Sequence, residues 1–201
     1  MRRSDQKEET RRLILAAARA AFEAHGFEKA TIRGIARAAD VAPGTVFVHF
    51  SDKTDLLYTV LFSDLQAASA RALATLPRPP DAPIALTLRH VAEVFLRHYA
   101  ERPALSRTLL EKSLMAGGPW GARFKAQVHT LGLALIDSFE AAKDAGELRP
   151  EANSPLLTLA FFSFYYFLLI DAAGHDFADL DGSLARLDAL VAQQLHGYRP
   201  E

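Results

Sequence analysis

The polar side chains best placed for chemistry lie in one stretch, from Thr31 to Leu57, which reads TIRGIARAADVAPGTVFVHFSDKTDLL. The hydroxyl of Thr45, the imidazole of His49 and the cations of Arg33 and Lys53 could each hydrogen-bond to a base edge or a phosphate. The residues between them are small, apolar or helix-breaking, which is typical of short helices joined by a tight turn. This pattern indicates recognition of double-stranded DNA.

The first of these helices is predicted to begin at Thr31, because threonine is a good N-cap. Apolar residues then recur at i, i+3, i+4 and i+7, which places them on one face of a two-turn helix. They are Ile32, Ile35, Ala36 and Ala39. Asp40 is expected to end the helix.

The second helix is predicted to begin near Pro43, since proline is suited to the first helical position. Val46 and Phe50 are four residues apart and should face inward. Ser51 is expected to cap a third, longer helix that carries Lys53 in its first turn. The residues left on or near the outward side of the second helix are Pro43, Gly44, Thr45, Phe47, Val48 and His49. An exposed helix of this kind fits the major groove of DNA.

This segment resembles the DNA-binding domain of the tetracycline-repressor (TetR) family of bacterial transcription regulators. The matching positions are Thr31, Ile35, Ala36, Ala39, Val41, Gly44, Thr45, Phe47, His49, Phe50, Lys53 and Leu56, together with AAARAAFEAHGF at 16–27. The resemblance covers roughly the first sixty residues, with only GELRP at 146–150 familiar beyond them. It implies a ligand-responsive, sequence-specific regulator, most simply a repressor, and it assigns Lys53 a contact to the DNA backbone. The predicted DNA-binding residues are Thr31, Arg33, Pro43, Gly44, Thr45, Phe47, Val48, His49 and Lys53.

Three residues depart from the family pattern. Ala42 stands where a capping serine is frequent, Phe47 where tyrosine is usual, and Gly34 where a helix-forming residue is common. The outer face of the recognition helix therefore carries few hydrogen-bonding groups. Apolar contact of Phe47 and Val48 with thymine methyl groups is expected to contribute much of the base reading.

Length and composition favour two domains in a folded cytoplasmic protein. The 201 residues are half hydrophobic and include no cysteine, which excludes disulfides and thiolate metal sites. The net charge is −1, but residues 1–60 hold an excess of two positive charges and the remainder an excess of three negative charges. The predicted domains are a helix-turn-helix DNA-binding domain at 1–52 and a larger helical ligand-binding and dimerisation domain at 53–201.

The predicted fold class is all-α, because helical patterns separated by proline and glycine continue to the end of the chain. The later helices are expected near 52–75, 84–101, 104–116, 120–145, 155–173 and 183–197. No strand is predicted.

The helix that begins at Ser154 and Pro155 is apolar on every side, which indicates burial on all faces. A membrane span is the competing reading, but the fully apolar part is shorter than a bilayer requires and Asp171 follows at once. We therefore expect no membrane partner. The resemblance implies that the last two long helices form a four-helix bundle across the axis of a homodimer, and a two-fold dimer would suit a palindromic operator.

Aromatic and polar side chains in the middle helices could line a cavity for a small, largely apolar effector. Each of them taken alone could equally be core or, for the histidines, surface; the resemblance favours the cavity. The candidate ligand-binding residues are Phe95, His98, Tyr99, Trp120, Phe124, His129, Phe161, Phe164 and Tyr165.

The sequence offers no motif for catalysis, so no catalytic residue, metal site or cofactor is predicted and the chain is not expected to be an enzyme. It lacks HExxH, a Glu-x-x-His pair, a glycine-rich phosphate loop and GxSxG. The alternative hypothesis is a helical small-molecule carrier or enzyme whose N-terminal helices are merely structural.

Overall fold

The computed structural model describes residues 3–113 and 117–200 of the chain. These residues contain nine helices and no strand, which confirms the predicted all-α class. The helices are α1 (Arg3–Lys29), α2 (Ile32–Ala38), α3 (Pro43–His49), α4 (Lys53–Ala74), α5 (Ile84–Ala100), α6 (Pro103–Ser113), α7 (Gly118–Asp144), α8 (Ser154–Gly174) and α9 (Leu180–His196).

The predicted boundaries of the later helices agree with these to within about three residues. The largest difference is at α9, which was expected from 183 but begins at Leu180. Its N-cap is Asp179, whose carboxylate accepts a hydrogen bond from the backbone N–H of Gly182 at 2.9 Å. Residues 114–116, at the end of the helix predicted for 104–116, lie outside the described residues.

The chain divides into two compact units. Unit 1 consists of Met1–Leu65 with Ala104–Met115, and unit 2 consists of Gln66–Pro103 with Ala116–Glu201. Unit 1 thus holds α1, the two short helices α2 and α3, the first part of α4 and most of α6. The domain boundary predicted after residue 52 stays a prediction.

The core of unit 1 is built on α1. Ile14, Ala18 and Phe22 are spaced four residues apart and are buried, so they form one apolar stripe along that helix. Gly26 interrupts α1 with φ 73°, a left-handed conformation that favours glycine.

In unit 2, α8 packs against α7 and α9, and α5 packs against α7, α8 and α9. The GELRP segment connects several of these helices. Gly146, with φ 73°, follows the end of α7, and the Glu147 carboxylate accepts hydrogen bonds from the backbone N–H of Ile84 at 3.1 and 3.0 Å. Glu147 therefore caps α5, whose own N-cap residue, Pro83, makes no side-chain cap.

The start of α4 corrects one expectation. Asp52, rather than Ser51, caps this helix: its Oδ1 accepts a hydrogen bond from the N–H of Asp55 at 2.8 Å. The Asp55 carboxylate accepts one in return from the N–H of Ser51 at 2.9 Å. The predicted Ser51 cap was therefore wrong by one residue, since the two aspartates satisfy the free N–H groups reciprocally.

Replacing Asp52 with alanine is expected to lower the free energy of unfolding by about 1 kcal/mol, because it removes the cap of α4. Ser51→Ala is the matched control and should change it by a few tenths of a kcal/mol at most. Urea denaturation followed by circular dichroism measures both. An equal effect of the two substitutions would contradict the assignment of the cap.

Candidate nucleic-acid interface

The helix α3 is positioned by its inward face and by the turn that precedes it. Val46 is fully buried and Phe50 is 3% exposed, as the spacing predicted. Asp40 has φ 55°, so the chain reverses there through a left-handed residue. Pro43 occupies the beginning of α3, and Ala42 offers it no side-chain cap. A seven-residue helix without this cap depends on its buried side chains to stay folded.

The outward face of α3 is apolar and open to solvent. Phe47 is 57% exposed and Val48 is 70% exposed, although both are large hydrophobic residues. Pro43 and Gly44 are also exposed, whereas Thr45 is half-buried. The structure therefore brings five of the predicted DNA-binding residues together on one short helix, with apolar atoms at its centre.

His49, the sixth predicted residue of α3, is half-buried. Burial lowers the pKa of His49 below its usual value, and the nearby cations Lys7 and Arg11 lower it further, while Glu8 opposes them. The ring of Phe50 is close to two of these groups: its centroid is 6.3 Å from that of His49 and 4.6 Å from the guanidinium carbon of Arg11. His49 is thus neutral near pH 7 in the free protein.

The helix α2 presents two cations beside α3. Thr31 caps α2 as predicted, since its Oγ1 accepts a hydrogen bond from the N–H of Gly34 at 3.1 Å. Arg33 and Arg37 are exposed, and neither guanidinium has a hydrogen bond or an ion pair within the described residues. They line an open cleft of about 560 Å³ together with Asp40, Val41, Ala42 and Pro43.

Arg37 was not among the predicted site residues. Its spacing of four residues from Arg33 is the signal that could have identified it, because residues i and i+4 share a helix face. The cleft is therefore lined by two cations without a partner in the described part of the chain, and the list of predicted site residues included only Arg33.

Lys53 makes contacts within the chain that the family resemblance does not imply. Its Nζ donates to the backbone carbonyls of Phe27 at 2.8 Å, Ala30 at 3.2 Å and Glu28 at 3.3 Å. An ammonium group has three donors, so all of them can be used by carbonyls at the end of α1. Its contact to a DNA phosphate stays a prediction.

The same ammonium group also lies against an aromatic ring. Lys53 Nζ is 4.4 Å from the centroid of Phe27, and Lys112 Nζ is 4.7 Å from it. Lys112 is held in turn by its carbonyl, which accepts a hydrogen bond from the hydroxyl of Tyr58 at 2.7 Å. Lys53 therefore joins the start of α4 to the end of α1, and α6 contacts the same ring.

The predicted ligand-binding residues fall into separate groups within unit 2. Four of them are buried together on α5 and α8: the rings of Phe95 and Tyr165 lie 6.4 Å apart, and those of Phe161 and Tyr165 6.2 Å apart. Burial raises the pKa of both Tyr99 and Tyr165, with smaller contributions from the neighbouring tyrosines. Their hydroxyls are therefore uncharged at physiological pH.

The remaining candidates are placed less centrally. His98 lies beside Tyr99 with its ring centroid 5.9 Å away, and Trp120 pairs with Phe124 at 6.2 Å on α7. Phe164 is half-buried, and His129 is exposed. Within 3–113 and 117–200, no group of three or more histidine, cysteine, aspartate or glutamate residues could hold a metal ion.

The chain matches the model of the bacterial regulatory proteins, tetR family, over residues 14–60. It is 25% identical to the HTH-type transcriptional regulator UidR of Escherichia coli (strain K12) over 173 residues, which cover 84% of each chain. The HTH-type transcriptional repressor Rv1474c of Mycobacterium tuberculosis is 37% identical over 62 residues, 31% of this chain and 33% of that protein. A solved structure of the transcriptional regulator FadR from Bacillus subtilis, in complex with stearoyl-CoA, has a TM-score of 0.70 at 17% identity and covers 92% of this chain and 97% of its own.

Replacing Lys53 with methionine is expected to lower the free energy of unfolding by about 1–2 kcal/mol, because three carbonyls lose a charged donor. Arg33→Gln is the control, since this exposed side chain has no described partner and its loss should leave stability unchanged within about 0.5 kcal/mol. Chemical denaturation of both variants measures the difference. A Lys53→Met protein as stable as the Arg33→Gln protein would contradict the structural role of Lys53.

Proposed function

We infer from these matches that the chain belongs to the tetR family of bacterial regulatory proteins and is a DNA-binding transcriptional regulator. We propose that it is a cytoplasmic homodimeric repressor, which a small, largely apolar effector releases from a palindromic operator. The observation that carries the DNA-binding role is the exposed outer face of α3. Phe47 and Val48 stand 57% and 70% exposed there, although the opposite face of this helix is fully packed. An apolar helix face of this kind fits the floor of a major groove, where thymine methyl groups are its partners.

The cations of α2 support this orientation. Arg33 and Arg37 lie on the helix that precedes α3, and phosphates of the DNA backbone are natural partners for unpaired guanidinium groups. In a helix-turn-helix the first helix crosses the backbone while the second enters the groove. On this basis the arginines position the protein, and α3 reads the bases by shape and apolar contact.

The proposed homodimer rests on the outer face of α8. Leu156, Leu159, Phe167 and Ile170 are between 52% and 69% exposed and recur at helical spacing along one side of that helix. By length and composition α8 is also the one helix of the described residues that could cross a membrane, but 44% of its most apolar window is buried within the chain. A core helix that completes its burial against a second copy accounts for both observations.

The proposed effector site is the aromatic cluster of α5 and α8. Phe95, Tyr99, Phe161 and Tyr165 supply ring surface and neutral hydroxyls, which suit an apolar molecule with one or two hydrogen-bonding atoms. FadR from Bacillus subtilis was solved with stearoyl-CoA, whose acyl chain belongs to this class. The effector would release DNA by preferring a conformation that fits the operator poorly.

Selection of duplexes from a random-sequence pool tests the function directly, and we expect an enriched palindrome. Val48→Ala and Thr45→Ala should weaken binding to that duplex by about tenfold, since each removes contact to a base or a phosphate. The exposed Leu86→Ala on α5 is the matched control and should bind normally. Adding stearoyl-CoA or a planar aromatic compound to the complex then tests release.

Failure to enrich any duplex at low salt would contradict the proposed function and favour the alternative of a carrier with a structural N-terminal unit. Equal affinity of Val48→Ala, Thr45→Ala and the Leu86→Ala control would contradict the assignment of α3 as the reading element.

Replacing Phe167 with glutamate is expected to convert the dimer to a monomer, because it places a charge in the apolar face of α8. Sedimentation or light scattering measures the mass, with Leu86→Glu as the control for an exposed charge elsewhere. The monomer should bind the selected palindrome at least about a hundredfold more weakly, since the second recognition helix is no longer linked to the first. A dimeric Phe167→Glu protein would contradict this interface.

A further inference from the structure

The turn between α8 and α9, residues 175–179, inserts one aromatic ring into unit 2. Within 174–179, Phe177 is only 4% exposed, whereas Gly174, His175, Asp176, Ala178 and Asp179 are all exposed. The Phe177 ring lies parallel to the ring of Tyr99 on α5, with an interplanar angle of 5° and centroids 6.2 Å apart. Phe177 therefore covers one face of Tyr99 from an otherwise exposed turn.

The backbone of this turn is strained at Phe177. The helix α8 ends in a Schellman motif: the N–H of Phe177 donates to the carbonyl of Ala172 at 2.7 Å, and that of Asp176 to the carbonyl of Ala173 at 3.4 Å. The motif needs one left-handed residue, which Asp176 supplies with φ 54°, a conformation that aspartate tolerates. Phe177 is left-handed as well, with φ 57°, although the motif does not require it and bulky residues rarely adopt it.

Packing of the Phe177 ring keeps the turn in this strained conformation. Burial and stacking on Tyr99 favour it, whereas the left-handed backbone opposes it. Both ends of the turn are fixed: Nδ1 of His175 lies 2.9 Å from the carbonyl oxygen of Asp171, and Asp179 caps α9. The middle of the turn can therefore change conformation while α8 and α9 stay folded.

Phe177 lies at one end of the aromatic residues of the proposed effector site. Tyr99 and Phe95 are buried one turn apart on α5, and Phe95 is 6.4 Å from Tyr165, whose ring stacks on Phe161 at 6.2 Å. These four residues belong to helices, so their movement would disturb backbone hydrogen bonds. Phe177 belongs to a turn, and its strain lowers the free-energy cost of moving it aside.

Building on the proposed function, we propose that Phe177 is the gate of the effector site. Its ring swings out toward solvent, the turn relaxes to an ordinary backbone conformation, and the effector packs on the face of Tyr99 that the ring leaves. Opening loses the burial of one ring and gains the relief of the strain at Phe177. A neutral effector with a flat aromatic part replaces the lost stacking on Tyr99, and therefore favours the open conformation.

The first test measures how fast the full-length protein binds phenylnaphthylamine, a neutral aromatic fluorophore whose emission rises in apolar surroundings. Phe177→Gly is expected to speed association by about tenfold in stopped-flow fluorescence, because it removes the gate and raises the open fraction. Asp176→Gly is the matched control. It introduces glycine into the same turn at a left-handed position but keeps the ring of Phe177, so it should not speed association.

The second test keeps the ring in place, so it does not depend on the folding of a truncated variant. With para-fluorophenylalanine incorporated at position 177, the fluorine NMR resonance of the free protein should not shift when water is replaced by heavy water. Adding phenylnaphthylamine is expected to produce that solvent-isotope shift, because the ring then faces solvent. The same label at Phe139, which is fully buried on α7, is the control and should show no such shift in either state.

The inference is overturned if the label at position 177 stays shielded from solvent with the probe bound, or if folded Phe177→Gly associates no faster than Asp176→Gly. A wild type that binds no phenylnaphthylamine overturns the proposed effector site and this inference together. A wild type that binds the probe while the label stays shielded overturns this inference alone. Selection of a palindromic duplex tests the DNA-binding role independently of both.

Discussion

The burial of Val46 and Phe50 is the constraint on which the DNA-binding unit depends. The helix α3 has seven residues and an N-cap alanine that makes no side-chain hydrogen bond, so its own backbone cannot keep it folded in water. Two buried side chains one turn apart hold it within unit 1, where α2 packs against both α3 and α1. The opposite face of α3 is not needed to keep the helix folded. Phe47 and Val48 can therefore remain exposed on it for contact with another molecule.

Much of unit 1 could be predicted from the sequence, because its features are local. Thr31 as a cap, Val46 and Phe50 as core, and Phe47 and Val48 as surface all follow from spacings of three or four residues. The cap of α4 was missed by one residue because serine and aspartate are both good caps, and only the reciprocal bond from Asp55 selects Asp52. Local pattern therefore establishes that a helix begins, while the exact first residue depends on hydrogen bonds the pattern does not specify.

The contacts that could not be predicted join residues far apart in the chain. Lys53 donates to the carbonyl of Phe27, which precedes it by 26 residues, and the guanidinium carbon of Arg11 in α1 lies 4.6 Å from the ring centroid of Phe50. The family resemblance implies one role for Lys53, a contact to the DNA backbone. It does not show which backbone carbonyls at the end of α1 lie within hydrogen-bond distance of the Lys53 ammonium group. The ligand-site candidates show the same limit: residue type and the family resemblance selected nine residues, and tertiary packing buried Phe95, Tyr99, Phe161 and Tyr165 while leaving His129 exposed.

The apolar face of α8 has a consequence for how the protein behaves at low abundance. In the proposed homodimer a second copy covers Leu156, Leu159, Phe167 and Ile170, so a newly made chain that exposes them is prone to adhere to other chains until it pairs. Where pairing precedes occupancy of a two-fold site, the bound fraction rises more steeply than the first power of the number of molecules per cell. The number of molecules per cell, which synthesis raises and cell division lowers, would then decide, together with any effector, whether the operator is bound or free.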